Sequence, residues 1–154
     1  MNRHRYRGFS LIELIIFIVV VGIGVAGILT VSNTVVKSSG DPMVRKQTVA
    51  IAESLLEEIL LKEYAKPTGS TVIGYAGGGA HNLYDCVDDY SGYTTTGGIV
   101  DVSGLSISGL ASYNVSPAVD VSTVTLGSVT VKRVVVSVTG PQGTISLSGY
   151  RGNY

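Results

Sequence analysis

Hydrophobic and polar positions divide the chain into three stretches. After a short polar start, an apolar run opens at Phe9 and carries no ionisable side chain from Leu14 to Val36. It is apolar on all sides rather than on one stripe, as a helix surrounded by lipid is. At ~1.5 Å per residue, about 20 such residues cross a ~30 Å hydrocarbon layer, so the pattern predicts a membrane-spanning helix over 9–30. Ser38-Ser39-Gly40 interrupts the run, and Asp41-Pro42 then reads as an N-cap with proline at the first helical position. A second helix, or one long helix kinked or broken near 38–41, is expected over 42–66, closed by Pro67 and Gly69. Within it Val44, Ile51, Ala52, Leu55 and Ile59 share one arc at 3.6 residues per turn, with Lys46, Glu53 and Glu57 opposite. That arc must be covered. Glu58 and Lys62 are spaced for an i,i+4 ion pair.

From Pro67 to Ser112 the periodicity fades among glycines, serines and threonines, which predicts turns and loops around short strands. A period of two then returns. Tyr113, Val115, Val119 and Val121 share a parity, 129–138 is dominated by β-branched residues, and Ile145 and Leu147 alternate with Thr144, Ser146 and Ser148. This pattern predicts antiparallel strands, with Gly140-Pro141-Gln142-Gly143 turning between the last two. At Lys132-Arg133 the parity shifts, suggesting a bulge or a charged edge. The expected architecture is α+β: a long N-terminal hydrophobic helix, an amphipathic stem over 42–66, and a β domain over 67–154 whose small antiparallel sheet packs on the stem.

Composition narrows the chemistry. The 154 residues balance 11 Lys plus Arg against 11 Asp plus Glu, so no basic field recruits nucleic acid. The single cysteine, Cys86, excludes an internal disulfide, and His4 and His81 are the only histidines, so no transition-metal motif forms. Gly77-Gly78-Gly79 lacks the following Lys of a phosphate loop, Glu57 and Glu58 diverge by ~100° on a helix, and His81 has no nucleophile motif beside it. No catalytic residue and no cofactor is expected, and the protein reads as a non-enzyme. Asp85, Asp88 and Asp89 supply hard oxygen ligands and are weak calcium candidates, although the EF-hand spacing is absent. Cys86 between them reads as a thiol of raised pKa.

Arg3, Arg5 and Arg7 precede the apolar run, and none comes closely after it. The positive-inside bias therefore keeps the N-terminus cytoplasmic and exports the chain beyond the apolar run. Glu13 is the anomaly. A carboxylate inside a membrane helix costs ~2.5–3.5 kcal/mol on insertion scales, so it needs a partner or a role.

The string Gly8-Phe9-Ser10-Leu11-Ile12-Glu13 resembles the prepilin signal shared by type IV pilins and type II secretion pseudopilins. The resemblance implies that 1–8 is a leader, that a prepilin peptidase cuts between Gly8 and Phe9, and that Phe9 is then N-methylated. It further implies that the apolar helix is retained and that Glu13 neutralises the Phe9 amine of an adjacent subunit. A conventional signal peptide cut near Ser32 is the rival processing, and Glu13 speaks against it. Val49 to Ile59 resembles the second helical segment of minor pilins and pseudopilins. Val87-Asp88-Asp89-Tyr90-Ser91-Gly92 and Ser148 to Tyr154 resemble segments of the minor pilins of the mannose-sensitive haemagglutinin (MSHA) pilus. The implied role is a minor structural subunit, with prepilin peptidase, other pilin subunits, the inner-membrane assembly machinery and membrane lipid as partners. The implied location is a single-pass inner-membrane protein with a periplasmic C-terminal domain, later part of a surface pilus. A type II secretion pseudopilin and a membrane-anchored binding module are the alternatives. The missing C-terminal cysteine pair weighs against a major subunit.

Overall fold

The computed structural model describes residues 10–77 and 80–153, and of 30–41 the backbone alone. The chain forms two compact units, Met1–Asp41 and Pro42–Tyr154. A single α-helix, α1 (Leu11–Leu60), contributes to both. Its first turn is capped by the Ser10 carbonyl, which accepts the N–H groups of Glu13 at 3.0 Å and Leu14 at 3.2 Å. Leu11–Leu29 is long and apolar enough to cross a membrane, and none of it is buried within the protein. Where a second helix or one helix kinked or broken near 38–41 was expected, α1 is continuous through these residues, so Asp41-Pro42 is not an N-cap and first turn, and Pro42 lies inside the helix. Proline forfeits one i→i−4 bond, and the flanking turns keep theirs.

In the second unit α1 lays Ala52, Leu55 and Ile59 into the core, with Val44 and Ile51 packed at its margin. Lys46, Glu53 and Glu57 stay exposed on the far side. The helix ends at Leu60 and does not reach Lys66. Long-range hydrogen bonds end it. Glu63 leaves the helical path to form a parallel bridge with Cys86, donating to the Asp85 carbonyl at 3.3 Å and accepting from the Val87 N–H at 3.0 Å. Arg151 Nε donates to the Lys62 carbonyl at 3.1 Å, satisfying one of the acceptors a helix end leaves open.

Between helix and sheet the chain is mostly irregular. A short 3₁₀ turn, η1 (Val87–Tyr90), carries buried Val87 and Tyr90, and Tyr84 and Tyr93 join them in the core. The sheet has four strands: β1 (Asn114–Val115), β2 (Asp120–Leu126), β3 (Val129–Gly140) and β4 (Gly143–Gly152). All pairings are antiparallel to β3, which is the central strand. β4 pairs with β3 from 131 to 140, while β2 and β1 pair with successive parts of β3 from 129 to 135 and at 138–139. Between β1 and β2 lies Pro117, which has no N–H to donate to a ladder. The Gly140-Pro141-Gln142-Gly143 turn forms as expected, with Gly140 opposite Gly143.

Alternation sorts the faces. Val134, Val136 and Val138 are fully buried, and Leu147 of β4 packs against the same cluster. β4 lies close against α1 at Gly149: a Cβ there would sit 2.6 Å from Leu60 Cδ1, so the Leu60 side chain would have to shift to admit it. The bulge or charged edge expected at Lys132-Arg133 is absent, because the register of β3 runs unbroken on both sides. Lys132 points inward, 6% exposed, and is accommodated there by an ion pair with Asp88 and by the Tyr64 ring 4.7 Å from its ammonium. A compensated charge does not force the strand to change parity.

Candidate functional site

Three groups of polar residues gather chemistry. The first surrounds Glu58, which precedes fully buried Ile59 at the border of the helix arc. Irregular chain folds His81, Tyr84, Tyr90 and Tyr93 beside it. Tyr90 Oη donates to Glu58 Oε1 at 2.6 Å, His81 Nε2 lies 3.3 Å from the same oxygen, and His81 Nδ1 lies 3.3 Å from Tyr93 Oη. The rings meet edge to face, Tyr84 on Tyr90 at 4.8 Å and His81 on Tyr93 at 5.3 Å between centroids. Burial pushes the Tyr90 and Tyr93 hydroxyls far above their ordinary range, and the Glu58 charge adds to it. Burial also pushes the Glu58 carboxyl up. The hydrogen bonds from His81 and Tyr90 and the charges of His81 and Lys62 together outweigh it and hold the group below its ordinary value. The result is an ionised acceptor held by a protonated phenol. Lys62, expected to pair with Glu58, instead donates to the Tyr84 carbonyl at 2.7 Å. Sequence reasoning missed this cluster; its one local trace is the crowding of His81, Tyr84, Tyr90 and Tyr93 into thirteen positions of otherwise small and polar chain.

The second group contains the acidic candidates, and the structure divides them. Asp85, Cys86 and Asp89 place one ligand-type atom each within 4.8 Å of one another, while Asp88 turns to Lys132. Asp89, 2% exposed, is already occupied. Its Oδ2 accepts the N–H groups of Asp85 at 3.1 Å and Cys86 at 3.2 Å, and its Oδ1 faces Lys66 Nζ at 3.0 Å. Burial pushes this carboxyl up, but the Lys66 ammonium and the two backbone donors overcome that and hold it below the ordinary aspartate value. Asp85 Oδ2 accepts from Ser70 Oγ, whereas its Oδ1 is buried without a hydrogen-bond partner. The arrangement orders η1 and the turn before it. Cys86 is fully buried, and burial followed by its hydrogen bond to Asp89 raises its thiol pKa. That agrees with the raised thiol pKa expected.

The third group is N-terminal. Glu13 lies in the first turn of α1, among exposed Leu11, Ile12 and Leu14. At Gly22, Gly24 and Gly27 nothing lies within 4 Å of where a Cβ would be, so these positions offer an open surface for close approach. Arg3, Arg5, Arg7, Gly8 and Phe9 lie outside the described residues. Comparison with known families bears on this stretch alone. Residues 3–29 match the prokaryotic N-terminal methylation motif.

The methylation motif supports a place in the type IV pilin and pseudopilin family, marks the chain as a prepilin-like substrate, and implies processing by prepilin peptidase and pilin assembly. It covers the apolar helix and leaves Pro42–Tyr154 to be judged by its own fold, an α-helix packed on a small antiparallel sheet, which is consistent with pilins. No curated protein and no solved structure matches the chain.

Proposed function

We propose that the protein is a minor structural subunit of a bacterial type IV pilus of the MSHA type. The observation that carries this reading is the methylation motif with Glu13 in the first turn of α1, the single charge in the apolar stretch Leu11–Leu29. Prepilin peptidase cuts between Gly8 and Phe9 on the cytoplasmic side, where Arg3, Arg5 and Arg7 hold the leader. Phe9 becomes the N-methylated terminus. Its protonated amine then lies within about one helical turn of Glu13, and in a filament Glu13 of one subunit neutralises the amine of the next. Membrane lipid holds the helix before assembly by the inner-membrane machinery, and the folded domain waits in the periplasm. The MSHA assignment rests on the likeness of Val87–Gly92 and Ser148–Tyr154 to the minor pilin MshD. A pseudopilin of a type II secretion system carries the same N-terminal motif and is the second reading.

The test is the ratio of this subunit in sheared surface filaments to that in the inner membrane, for wild type and Glu13→Ala. Removing one partner of a buried ion pair costs about 3–5 kcal/mol, so the variant should be processed and inserted normally yet be depleted from filaments at least tenfold. Recovery at the wild-type ratio would refute the pairing. If wild type itself never enters sheared filaments, the pseudopilin or anchored-module reading takes precedence. Mass spectrometry should find methylated Phe9 at the mature terminus, and a terminus near Asn33 would rule out this processing.

A further inference from the structure

In the second unit a cavity of about 460 Å³ opens between the α1 face carrying Ala50, Ile51 and Leu55 and the chain from Ile99 to Leu110. That is the size of a small-molecule site, typically ~300–1,000 Å³. Its walls are aliphatic, with Ile51, Leu55, Ile99, Val102, Ile107 and Leu110 among them. Its polar lining includes Glu58, His81, Tyr93 and Asp101. Among the described residues no Lys or Arg lines it, so its permanent charges, Glu58 and Asp101, are both negative. His81, 3.3 Å from Glu58, neutralises at most one of them when protonated. Access is also uneven. The Glu58 side chain keeps 29% of its surface open, whereas its partners His81 and Tyr90 are 4% and 0% exposed. Tyr90 does not line the cavity and His81, which does, is nearly closed off, so Glu58 is the more open of the ionisable partners that an entering molecule meets.

The two halves of this lining select one chemistry. An anion would face two carboxylates with no Lys or Arg in the lining to offset them. A small metal ion could use the oxygen groups of Gln47, Ser54, Glu58, Thr95 or Asp101 but would leave the aliphatic wall uncovered. A neutral hydrophobe would strip water from Glu58 and return no donor. An ammonium group carried on an alkyl or aryl body satisfies both parts, the body covering Ile51, Ile107 and Leu110 while the head meets Glu58. We propose that this cavity binds a small organic ammonium ion of that kind. Every residue involved lies in the unit Pro42–Tyr154, so the site stands apart from the filament reading.

The experiment uses the full chain in lipid nanodiscs, titrated calorimetrically with 2-phenylethylammonium, 2-phenylethanol and 3-phenylpropionate, with empty nanodiscs subtracted. The ammonium ion should saturate at one per chain, at least tenfold tighter than the alcohol, and the carboxylate should show no saturation. Glu58→Gln should weaken the ammonium at least tenfold and leave the alcohol unchanged. Because Glu58 also holds Tyr90, a second variant, Ala50→Trp, fills the mouth from an exposed helix position and should abolish binding while circular dichroism stays unchanged. Absence of saturation in folded wild type, equal affinity for the anion, or undiminished binding in folded Ala50→Trp would each overturn the proposal.

Discussion

The two stretches of α1 share a backbone and differ in what surrounds them. Over Leu11–Leu29 large apolar side chains are exposed, Ile23 at 70% and Leu11 at 76%, with the single charge of Glu13 set in the first turn. From Pro42 onward apolar residues retreat to one stripe, and there Ala52 and Ile59 are fully buried beneath tyrosines and the β3 valines. The first stretch needs lipid or other helices to cover it; the second finds its cover within the chain. The same helical propensity thus serves two solvents, and the distribution of charged residues decides which.

Truncation should break this symmetry most sharply. Ile59→Ala removes a fully buried side chain and should destabilise the folded domain by about 2–5 kcal/mol, measured by denaturant unfolding. Ile18→Ala, on the exposed stretch, should leave the domain's midpoint unmoved. Comparable losses in both would mean that the apolar stretch has cover within the chain after all.

Acid should sharpen it next, since the ordered carboxylates of the second unit, Glu58 and Asp89, both sit below their ordinary values. As pH falls, the unfolded chain takes up their protons first. Their contribution is complete above the unfolded values of about 4 and is lost as pH drops through the lower folded ones. The domain's unfolding midpoint should therefore fall steeply below about pH 4, and Asp89→Asn should be less stable at pH 7 with a shallower acid limb. Parallel limbs for wild type and variant would rule out Asp89 as a source of the slope.

The smallest effect is expected at Cys86. Serine fits its volume and can still bond Asp89, so Cys86→Ser should cost no more than about 1 kcal/mol. A non-reducing gel should show monomer, because a fully buried thiol cannot reach another chain while the domain is folded. An obligatory disulfide dimer would contradict that burial.

Period and run length by themselves determined the apolar helix, the inward stripe of Ala52, Leu55 and Ile59, the β-branched strand over 129–138 and the turn at Pro141. These are local properties, since a helix or strand repeats its direction every few residues and the sorting of side chains comes from the repeat. The prepilin-like string around Glu13 was legible for the same reason: a charge in an apolar run stands out without any fold. Tertiary structure alone decided where α1 stops, because the competing hydrogen bonds at Glu63 and Lys62 come from Asp85, Val87 and Arg151, distant in sequence. It also decided that Lys132 faces inward, where Asp88 and Tyr64 compensate it, and that Glu58 forsakes Lys62 for Tyr90 and His81. Tyrosine and histidine carry an apolar body and a polar tip, so pattern alone does not say which end is buried. That depends on whether a partner such as Glu58 is waiting, and only the folded chain brings one.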